Sequence, residues 1–231
     1  MTGLSLVIPA HNSAKVIENS LRAYTSAFNE KFRNFEIIVI CNDCWDNTSK
    51  IVEKLMRELP VRTIEIPQRG KGHALVRGFN EARFDLMGFL DADNPFDLKK
   101  IKEMLDYFDR YDVVIASKYV KGKARHQDYL LRRMISLGGG LFSKKILNLN
   151  FADTQAGAKF FTKEVWRKIS KREFVCKGFD FDMELLYRVG KLNFKIKEYY
   201  LPLEKYEKFS TFRLKYLPGM VKRLLILRFL K

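Results

Sequence analysis

The sequence predicts an α/β protein in which a mainly parallel central sheet is flanked by helices and followed by a basic amphipathic C-terminal extension. Apolar, strand-like runs alternate with helically spaced segments through the first half of the 231-residue chain. One of these runs, residues 86–90, contains no polar side chain, which is typical of a buried parallel strand. The last segment, residues 212–231, contains six lysines and arginines and no acid.

Five strands are predicted in the first half from runs rich in Val, Ile and Leu, namely residues 4–9, 36–41, 61–67, 86–90 and 112–117. Four helices are predicted from apolar residues at helical spacing, namely residues 13–28, 47–59, 73–83 and 97–110. We expect Ser13 and Asp97 to cap the first and the fourth of these helices. Strands that alternate with helices of this length predict βαβ units and therefore parallel pairing.

After Lys118 the regular alternation ends, and residues 119–129 have the polar composition of a surface loop. The remaining elements are predicted as a helix at 130–147 interrupted by glycines, a strand at 158–162, a helix at 180–189 and a strand at 194–201. The tail is expected to be helical, with Pro218-Gly219 dividing it into a turn and a shorter helix. We therefore expect one catalytic domain over residues 1–211 and a basic amphipathic helix over residues 212–231.

The charge balance of the chain predicts an anionic partner. Lys and Arg number 43 against 27 Asp and Glu, a formal net charge of +16. Nucleic acid, a phospholipid surface and a phosphorylated substrate would each satisfy this excess. No helix-turn-helix, zinc-finger or RNP-like pattern is present, so we do not expect nucleic acid to be the partner.

The cysteines favour a reducing compartment, because three sparse residues, Cys41, Cys44 and Cys176, do not form a disulfide framework. The C-x-x-C pair has no second pair at ligand spacing, so two reduced thiols are expected rather than zinc. The N-terminus enters a strand at once, and we expect no signal peptide. No run reaches the roughly 20 apolar residues that span a bilayer, so a soluble or peripheral protein is expected.

Two carboxylates follow the apolar strand at 86–90. Asp91 and Asp93 are separated by the small residue Ala92. Ligands of open α/β sheets bind outside the carboxyl ends of the strands. Two aspartates at that position can hold a hard divalent cation such as Mg²⁺ or Mn²⁺, which in turn binds a diphosphate. The alternative is a helix-capping cluster before Pro95, which would use one carboxylate and leave the other unexplained.

Small polar residues follow the first two predicted strands and could hydrogen-bond a base or a ribose. After the first strand these residues are His11 and Asn12, next to Pro9, and after the second they are Asn42 and Asp46. Turn formation and helix capping explain the same residue types equally well, and the sequence leaves both interpretations open.

Lys71 lies between Gly70 and Gly72, just before the third predicted helix. Two glycines allow the backbone to approach a ligand closely, and a lysine there can contact a phosphate. The G-x-x-x-x-G-K-[ST] spacing of a P-loop is absent. His73 follows, and a surface histidine at a helix start is as good an interpretation as a ligand contact.

These motifs together resemble the family 2 glycosyltransferases of the GT-A fold, in particular the polyprenyl- (dolichyl-) phosphate hexose synthases. The matching stretches run in family order and comprise residues 6–12, 36–40, 46–48, 70–72, 89–93, 116–120, 153–161, 178–188 and 208–212. The D-T-Q-x-G-x-K-x-F pattern at 153–161 is the discriminating one and is typical of the lipid-phosphate branch.

The resemblance implies an inverting transfer of mannose or glucose from a nucleotide-diphosphate sugar, GDP-mannose or UDP-glucose. The implied acceptor is a polyprenyl (dolichyl) phosphate at the cytoplasmic face of a membrane, where the enzyme would be peripheral. The basic tail could then lie among anionic headgroups, although packing on the core or on a partner subunit would also explain it.

The resemblance also implies roles for individual residues. Asp91 and Asp93 would bind the metal and, with Ala92, the donor diphosphate. The nucleoside would be held by five residues, namely Pro9, His11, Asn12, Asn42 and Asp46. Lys71 would contact the donor. The acceptor phosphate would be engaged by three residues, namely Lys118, Arg132 and Ser136, and Arg132 would contribute to catalysis. Gln155 and Asp182 would line the sugar and acceptor side.

Several positions depart from the family pattern. His11 stands where Tyr is usual, Ser13 where Glu is usual, and Pro95 where a Gln is common. Cys41-Asn42 replaces two acids, and Lys118 replaces an Arg. Two alternatives therefore stay open: a transferase with a hydroxyl acceptor that uses Asp182 as general base, and an inactive GT-A-like binding scaffold.

Overall fold

A twisted sheet with helices on both faces forms the centre of the protein. The computed structural model describes residues 3–93, 96–117, 146–149, 151–201 and 217–229. Within these ranges the chain forms one seven-stranded sheet. The predicted helix at 130–147 and the loop at 119–129 lie almost wholly outside the described residues.

The strands are β1 Leu4–Ala10, β2 Phe35–Asn42, β3 Val61–Ile66, β4 Leu86–Leu90, β5 Val113–Ser117, β6 Ala158–Thr162 and β7 Ile196–Tyr200. Their order in the sheet is β3-β2-β1-β4-β6-β5-β7. β6 pairs antiparallel with both β4 and β5, and the other neighbours pair in parallel. The prediction of a mainly parallel sheet flanked by helices is therefore confirmed, and the carboxyl ends of β1, β2 and β4 lie at one edge.

The helices are α1 Ile17–Asn29, α2 Thr48–Leu55, α3 Lys71–Asn80, α4 Leu98–Leu105, α5 Lys163–Ile169, α6 Phe181–Lys191 and α7 Leu217–Phe229. A short 3₁₀ turn, Asp106–Asp109, follows α4. One apolar core lies between the sheet and α1, α2 and α4, and a second lies between the sheet and α3, α5 and α6. Successive side chains of β1 point to opposite faces of the sheet, so Leu6 and Ile8 lie in the first core and Val7 lies in the second.

The predicted element boundaries hold best where a local pattern decides them. β4 and β6 have the predicted bounds, and Asp97 caps α4 by accepting a hydrogen bond from the Lys99 backbone N–H at 2.8 Å. The capping prediction for Ser13 was wrong, because α1 begins at Ile17 and has no side-chain cap. The Ser13 backbone N–H instead donates to the Thr48 hydroxyl at 2.8 Å, which holds residue 13 in the loop.

One helix was not predicted, and the tail helix is described only from Leu217 onward. The seven-residue helix α5 was not predicted; the Thr162 hydroxyl accepts from the Val165 N–H at its start. Pro218-Gly219 lies in the first turn of α7, which runs from Leu217 to Phe229, and the turn predicted before this shorter helix falls outside the described residues. Pro218 lies in the first helical turn, where the missing N–H of proline has no helical partner to lose.

Helix α7 packs on the rest of the protein through one apolar face and one ion pair. Met220, Leu224 and Leu227 are buried in a cluster with Cys176 and Met183. Arg223 Nε lies 2.5 Å from a carboxylate oxygen of Asp180, whose side chain is fully buried. The boundary between a catalytic domain and a tail at residue 211 stays a prediction.

Replacing Arg223 by Met is expected to lower the free energy of unfolding by about 2–3 kcal/mol, because it leaves the buried Asp180 carboxylate without its cation. Urea unfolding followed by circular dichroism measures the loss. Arg228→Met is the matched control, since Arg228 donates to the exposed Ile146 carbonyl, and we expect it to cost less than about 1 kcal/mol. Equal losses of unfolding free energy in the two variants would show that the Arg223–Asp180 ion pair does not stabilise the fold more than an exposed hydrogen bond does.

Candidate active site

The site lies at the carboxyl end of β4, between the ends of its neighbours in the sheet. Asp91 follows the last residue of β4 directly, and its side chain is 34% exposed. The Tyr24 hydroxyl of α1 donates to the Asp91 carbonyl at 2.6 Å, which fixes the backbone where the strand ends. Asp93 follows in the turn after β4. The predicted position of Asp91 and Asp93 at the end of a strand is thus confirmed.

Lys71 reaches this carboxylate from the first turn of α3. Its Nζ lies 3.0 Å from Asp91 Oδ1 and 3.5 Å from Asp182 Oδ2. The helix was predicted to begin at residue 73 and begins instead at Lys71. The structure therefore brings together three residues that lie far apart in the sequence and that were each predicted for the site.

The backbone before Lys71 requires glycine. Gly70 has φ +138°, and a Cβ on it would lie 2.4 Å from the Lys177 carbonyl oxygen. The same carbonyl accepts a hydrogen bond from the His73 backbone N–H at 3.3 Å. The segment that precedes α6 thus packs directly on Gly70, the residue before α3.

Lys159 of β6 completes the charge cluster and was not predicted as a functional residue. Its side chain is fully buried, and its Nζ donates to Asp182 Oδ1 at 2.8 Å and to the Ala156 carbonyl at 2.7 Å. A lysine between Ala158 and Phe160 in a predicted strand was the signal available in the sequence, since lysine is almost never fully buried unless it is paired.

The surroundings shift the pKa values of Lys71 and Lys159 in opposite directions. Burial would lower the pKa of Lys71, but Asp182 and Asp91 outweigh it, and the pKa is raised. For Lys159 burial prevails over the attraction of Asp182, and the pKa is lowered. Both ammonium groups also lie over the Phe89 ring, with Nζ 4.7 Å (Lys71) and 5.4 Å (Lys159) from its centroid.

The acidic residues at this edge fit a divalent metal shared with a diphosphate. Carboxylate oxygens of Asp91 and Asp93 are the hard donors that Mg²⁺ and Mn²⁺ prefer. Gly157 leaves the Asp91 carboxylate uncovered, since a Cβ there would lie 1.7 Å from Oδ2. In the described ranges no group of three or more acidic, histidine or cysteine side chains could by itself hold a metal.

The loops after β1 and β2 are fastened to each other by polar side chains. Asn12 Oδ1 accepts from the Trp45 backbone N–H at 3.0 Å, and His11 Nδ1 donates to the Asn42 carbonyl at 2.8 Å. Asp46 accepts from the backbone N–H groups of Ala14 and Thr48 at 3.0 Å. Burial would raise the pKa of Asp46, but these hydrogen bonds and one from the Thr48 hydroxyl lower it overall.

Four of the five predicted nucleoside residues thus come together at the ends of β1 and β2, namely His11, Asn12, Asn42 and Asp46. Their contacts support the turn-forming interpretation of Asn12 and Asp46, and ligand contacts by the same residues stay predictions. With its amide oriented to satisfy both partners, Asn42 donates to the Ala10 carbonyl at 2.7 Å and accepts from the Gly70 N–H at 3.1 Å. Asn42 therefore joins the ends of β1 and β2 to Gly70, the residue before Lys71 and α3.

The remaining predicted residues occupy different surroundings. Pro9 lies in β1, Ala92 is nearly buried in the turn after β4, and Gln155 is partly buried just before β6. The three predicted acceptor residues, Lys118, Arg132 and Ser136, lie outside the described residues. Two further acids of the 180–184 segment have structural partners: Asp180 pairs with Arg223, and the buried Glu184 accepts from the Cys176 N–H at 2.6 Å.

The fold around this site is that of the GT-A glycosyltransferases. The chain matches glucosyl-3-phosphoglycerate synthase from Mycobacterium tuberculosis, solved with Mn²⁺, UDP and phosphoglyceric acid, with a TM-score of 0.73 and 18% identity. The match covers 100% of this chain and 80% of that one. S. aureus TarS, solved with UDP-GlcNAc, matches with a TM-score of 0.61 and 17% identity over 98% of this chain and 66% of that one.

Residues 5–171 match the model of the family described as Glycosyl transferase family 2. The chain therefore belongs to glycosyl transferase family 2, as its motifs predicted.

Three curated relatives carry related names. Dolichyl-phosphate beta-glucosyltransferase of Dictyostelium discoideum is 28% identical over 84% of this chain and 64% of its own length. Undecaprenyl-phosphate mannosyltransferase of Micrococcus luteus is 25% identical over 83% of this chain and 79% of its own. Dolichol-phosphate mannosyltransferase of Pyrococcus furiosus is 28% identical over 80% of this chain and 52% of its own length. The chain thus spans between about half and four fifths of the lengths of these relatives.

The Cys44 thiol, in the loop after β2, is expected to be reactive near neutral pH. Its Sγ accepts from the Asn12 N–H at 3.4 Å, and a hydrogen bond with Cys41 is the main cause that lowers its pKa to about 7. Because the pKa is lowered, the reactive thiolate persists to lower pH than in an ordinary cysteine. We expect iodoacetamide labelling of Cys44, followed by mass spectrometry, to show a midpoint near pH 7. Cys44→Ser is the control, and a midpoint of about 8.5, as in an unperturbed cysteine, would contradict this prediction.

Proposed function

We propose that this chain transfers mannose or glucose, with inversion, from a nucleotide-diphosphate sugar to a polyprenyl (dolichyl) phosphate. The observation that carries the proposal is the similarity to relatives whose names combine a polyprenyl phosphate with a glucosyl or mannosyl transfer. Because two sugars occur among those names, UDP-glucose and GDP-mannose are both kept as donors.

The donor would bind at the edge formed by β1, β2 and β4. Asp91 and Asp93 would hold Mg²⁺ or Mn²⁺, which when bound neutralises charge on the departing diphosphate. Lys71, whose amine already lies within 3.0 Å of Asp91, would add a second positive contact to that leaving group. The nucleoside would lie against the fastened loops that contain His11 and Asn42.

The acceptor would supply its own nucleophile. An ionised oxygen of the lipid phosphate attacks the anomeric carbon as the bond from that carbon to the donor diphosphate breaks. No proton has to leave the acceptor, so no general base is needed, and cations suffice to hold the phosphate. By resemblance these cations are Lys118 and Arg132, with Ser136 beside them.

A second candidate is a transferase that acts on a hydroxyl acceptor and uses Asp182 as base. The contacts of Asp182 favour the phosphate acceptor instead. Its side chain is 3% exposed, and its two oxygens face the amines of Lys159 and Lys71 at 2.8 and 3.5 Å. A carboxylate engaged in this way is poorly placed to remove a proton from an alcohol. The retained charge cluster also argues against an inactive scaffold.

We also propose that α7 binds the cytoplasmic surface of a membrane, where the enzyme would be peripheral. Its outer face exposes Leu225 (43%), Ile226 (41%) and Phe229 (79%), while the opposite face packs on the core. Lys222 is exposed on the same helix, and the chain carries a net charge of +16. Cations beside apolar side chains suit the headgroup region of an anionic leaflet. Across the described residues no helix has the length and apolar character needed to cross a bilayer.

Sugar transfer from labelled GDP- and UDP-hexoses into organic-extractable product tests the reaction. We expect label to enter polyprenyl phosphate from one donor with Mn²⁺ and to disappear with EDTA. Asp91→Asn and Asp93→Asn should each reduce transfer by at least about 100-fold, because charge on the leaving diphosphate is no longer neutralised. Asp106→Asn, which alters an exposed ion pair with Lys31, is the matched control. Near-normal transfer by either site variant would exclude the metal role, and label found only in water-soluble products would favour the hydroxyl acceptor.

Replacing Leu225, Ile226 and Phe229 together by Ser should weaken binding to vesicles of phosphatidylcholine and phosphatidylglycerol by at least about tenfold, because less apolar area can enter the headgroup region. Co-sedimentation measures the bound fraction. Leu192→Ser is the control, since Leu192 is also exposed (44%) but lies just after α6. Unchanged binding of the triple variant would contradict the assignment of this face.

A further inference from the structure

Lys71 contacts the carboxylate to which the proposed function assigns the metal. Its Nζ lies 3.0 Å from Asp91 Oδ1, a distance at which the two charges pair directly. The Lys71 side chain is only 13% exposed, so water contributes little to solvating its charge. Asp91 is therefore already paired with a cation before any ligand arrives.

Lys71 has two carboxylate partners, and it shares one of them, Asp182, with Lys159. Asp182 lies 3.5 Å from Lys71 Nζ but only 2.8 Å from the fully buried Lys159 Nζ. Lys159 and Asp182 thus balance each other, and Lys71 and Asp91 balance each other. These four side chains together carry no net charge.

We propose that Lys71 is an internal counter-cation that a divalent metal must displace from Asp91, so that metal and donor diphosphate bind cooperatively. The inference rests on the proposed function, since it takes Asp91 as a metal ligand. A metal that arrives alone places its charge beside the Lys71 ammonium, and like charges at this range repel. A diphosphate that arrives with the metal offers the Lys71 amine an anionic acceptor and so releases Asp91.

The exchange of partners requires rotation of one side chain. The backbone before Lys71 is held by the close packing of Gly70 on the Lys177 carbonyl and by the Asn42 contact to the Gly70 N–H at 3.1 Å. Lys71 is also the first residue of α3, and the N–H groups of a helix start favour an anion nearby. The diphosphate would therefore meet a fixed backbone and a movable ammonium group.

Mn²⁺ binding to the purified chain, followed by the electron paramagnetic resonance signal of the free ion, tests this inference without any transfer reaction. Lys71→Met removes the ammonium group and keeps a side chain of similar length. We expect this variant to bind Mn²⁺ alone about tenfold more tightly than the unaltered chain, within the usual range of coupling between two sites. UDP or GDP should strengthen Mn²⁺ binding in both proteins, and we expect the factor of strengthening to be at least about fivefold smaller in Lys71→Met than in the unaltered chain.

Three further variants make the comparison specific. Lys71→Arg keeps the charge and should bind Mn²⁺ alone as weakly as the unaltered chain. Lys71→Gln is a second neutral replacement and should behave like Lys71→Met, which guards against a folding defect in either one. Lys168→Met removes an exposed lysine that pairs with Glu164 and should leave Mn²⁺ binding unchanged. Thermal unfolding by circular dichroism establishes that each variant is folded.

Equal or weaker Mn²⁺ binding by folded Lys71→Met and Lys71→Gln would overturn the inference and leave the proposed transfer reaction untouched. Absence of Mn²⁺ binding from every variant, even with nucleotide, would overturn both the inference and the metal assignment. Transfer to another acceptor would overturn the proposed lipid substrate without affecting the Mn²⁺ titration.

Discussion

Buried charge has to be paired, and the geometry of this site follows from the pairing of Lys159. Lys159 has no exposed surface and lies in β6 directly opposite Phe89 of β4. Directly opposite residues of an antiparallel pair share a face of the sheet, so the Lys159 amine lies on the face that α3 and α6 cover. It pairs with Asp182 at the start of α6, and Asp182 in turn contacts Lys71 at the start of α3. Two helices and two strands therefore meet at one cluster of alternating charges.

At the ends of β1 and β2, hydrogen bonds hold the site together, whereas ion pairs do so around Lys159. Asn12 and Asp46 use their side-chain oxygens to hold backbone N–H groups of the facing loop, which joins the ends of β1 and β2. Asn42 extends these contacts to Gly70, next to Lys71. Loops fastened in this way lose little conformational freedom when a ligand arrives, which favours binding. The nucleoside loops and the charge cluster are thus parts of one connected arrangement.

The C-terminal helix is connected to the same arrangement. Asp180 precedes α6 directly and lies two residues before Asp182, and its buried carboxylate pairs with Arg223 of α7. The segment before α6 also packs on Gly70 through the Lys177 carbonyl. The helix that we propose to contact the membrane is therefore joined to the start of α6, and through α6 to the cluster that includes Asp91.

The sequence by itself determined the features that depend on local patterns. The bounds of β4 and β6, the Asp97 cap and the position of Asp91 at a strand end could all be predicted, because strand patterns and capping involve residues close in the chain. Three features were decided by the tertiary structure alone: the antiparallel direction of β6, the pairing of Lys159 and the position of Ser13 in a loop. The sequence pattern of a short strand such as 158–162 is the same whether its neighbours run parallel or antiparallel to it, and Lys159 pairs with Asp182, which lies 23 residues away. Contacts between residues distant in the chain decide these features, and local patterns do not encode such contacts.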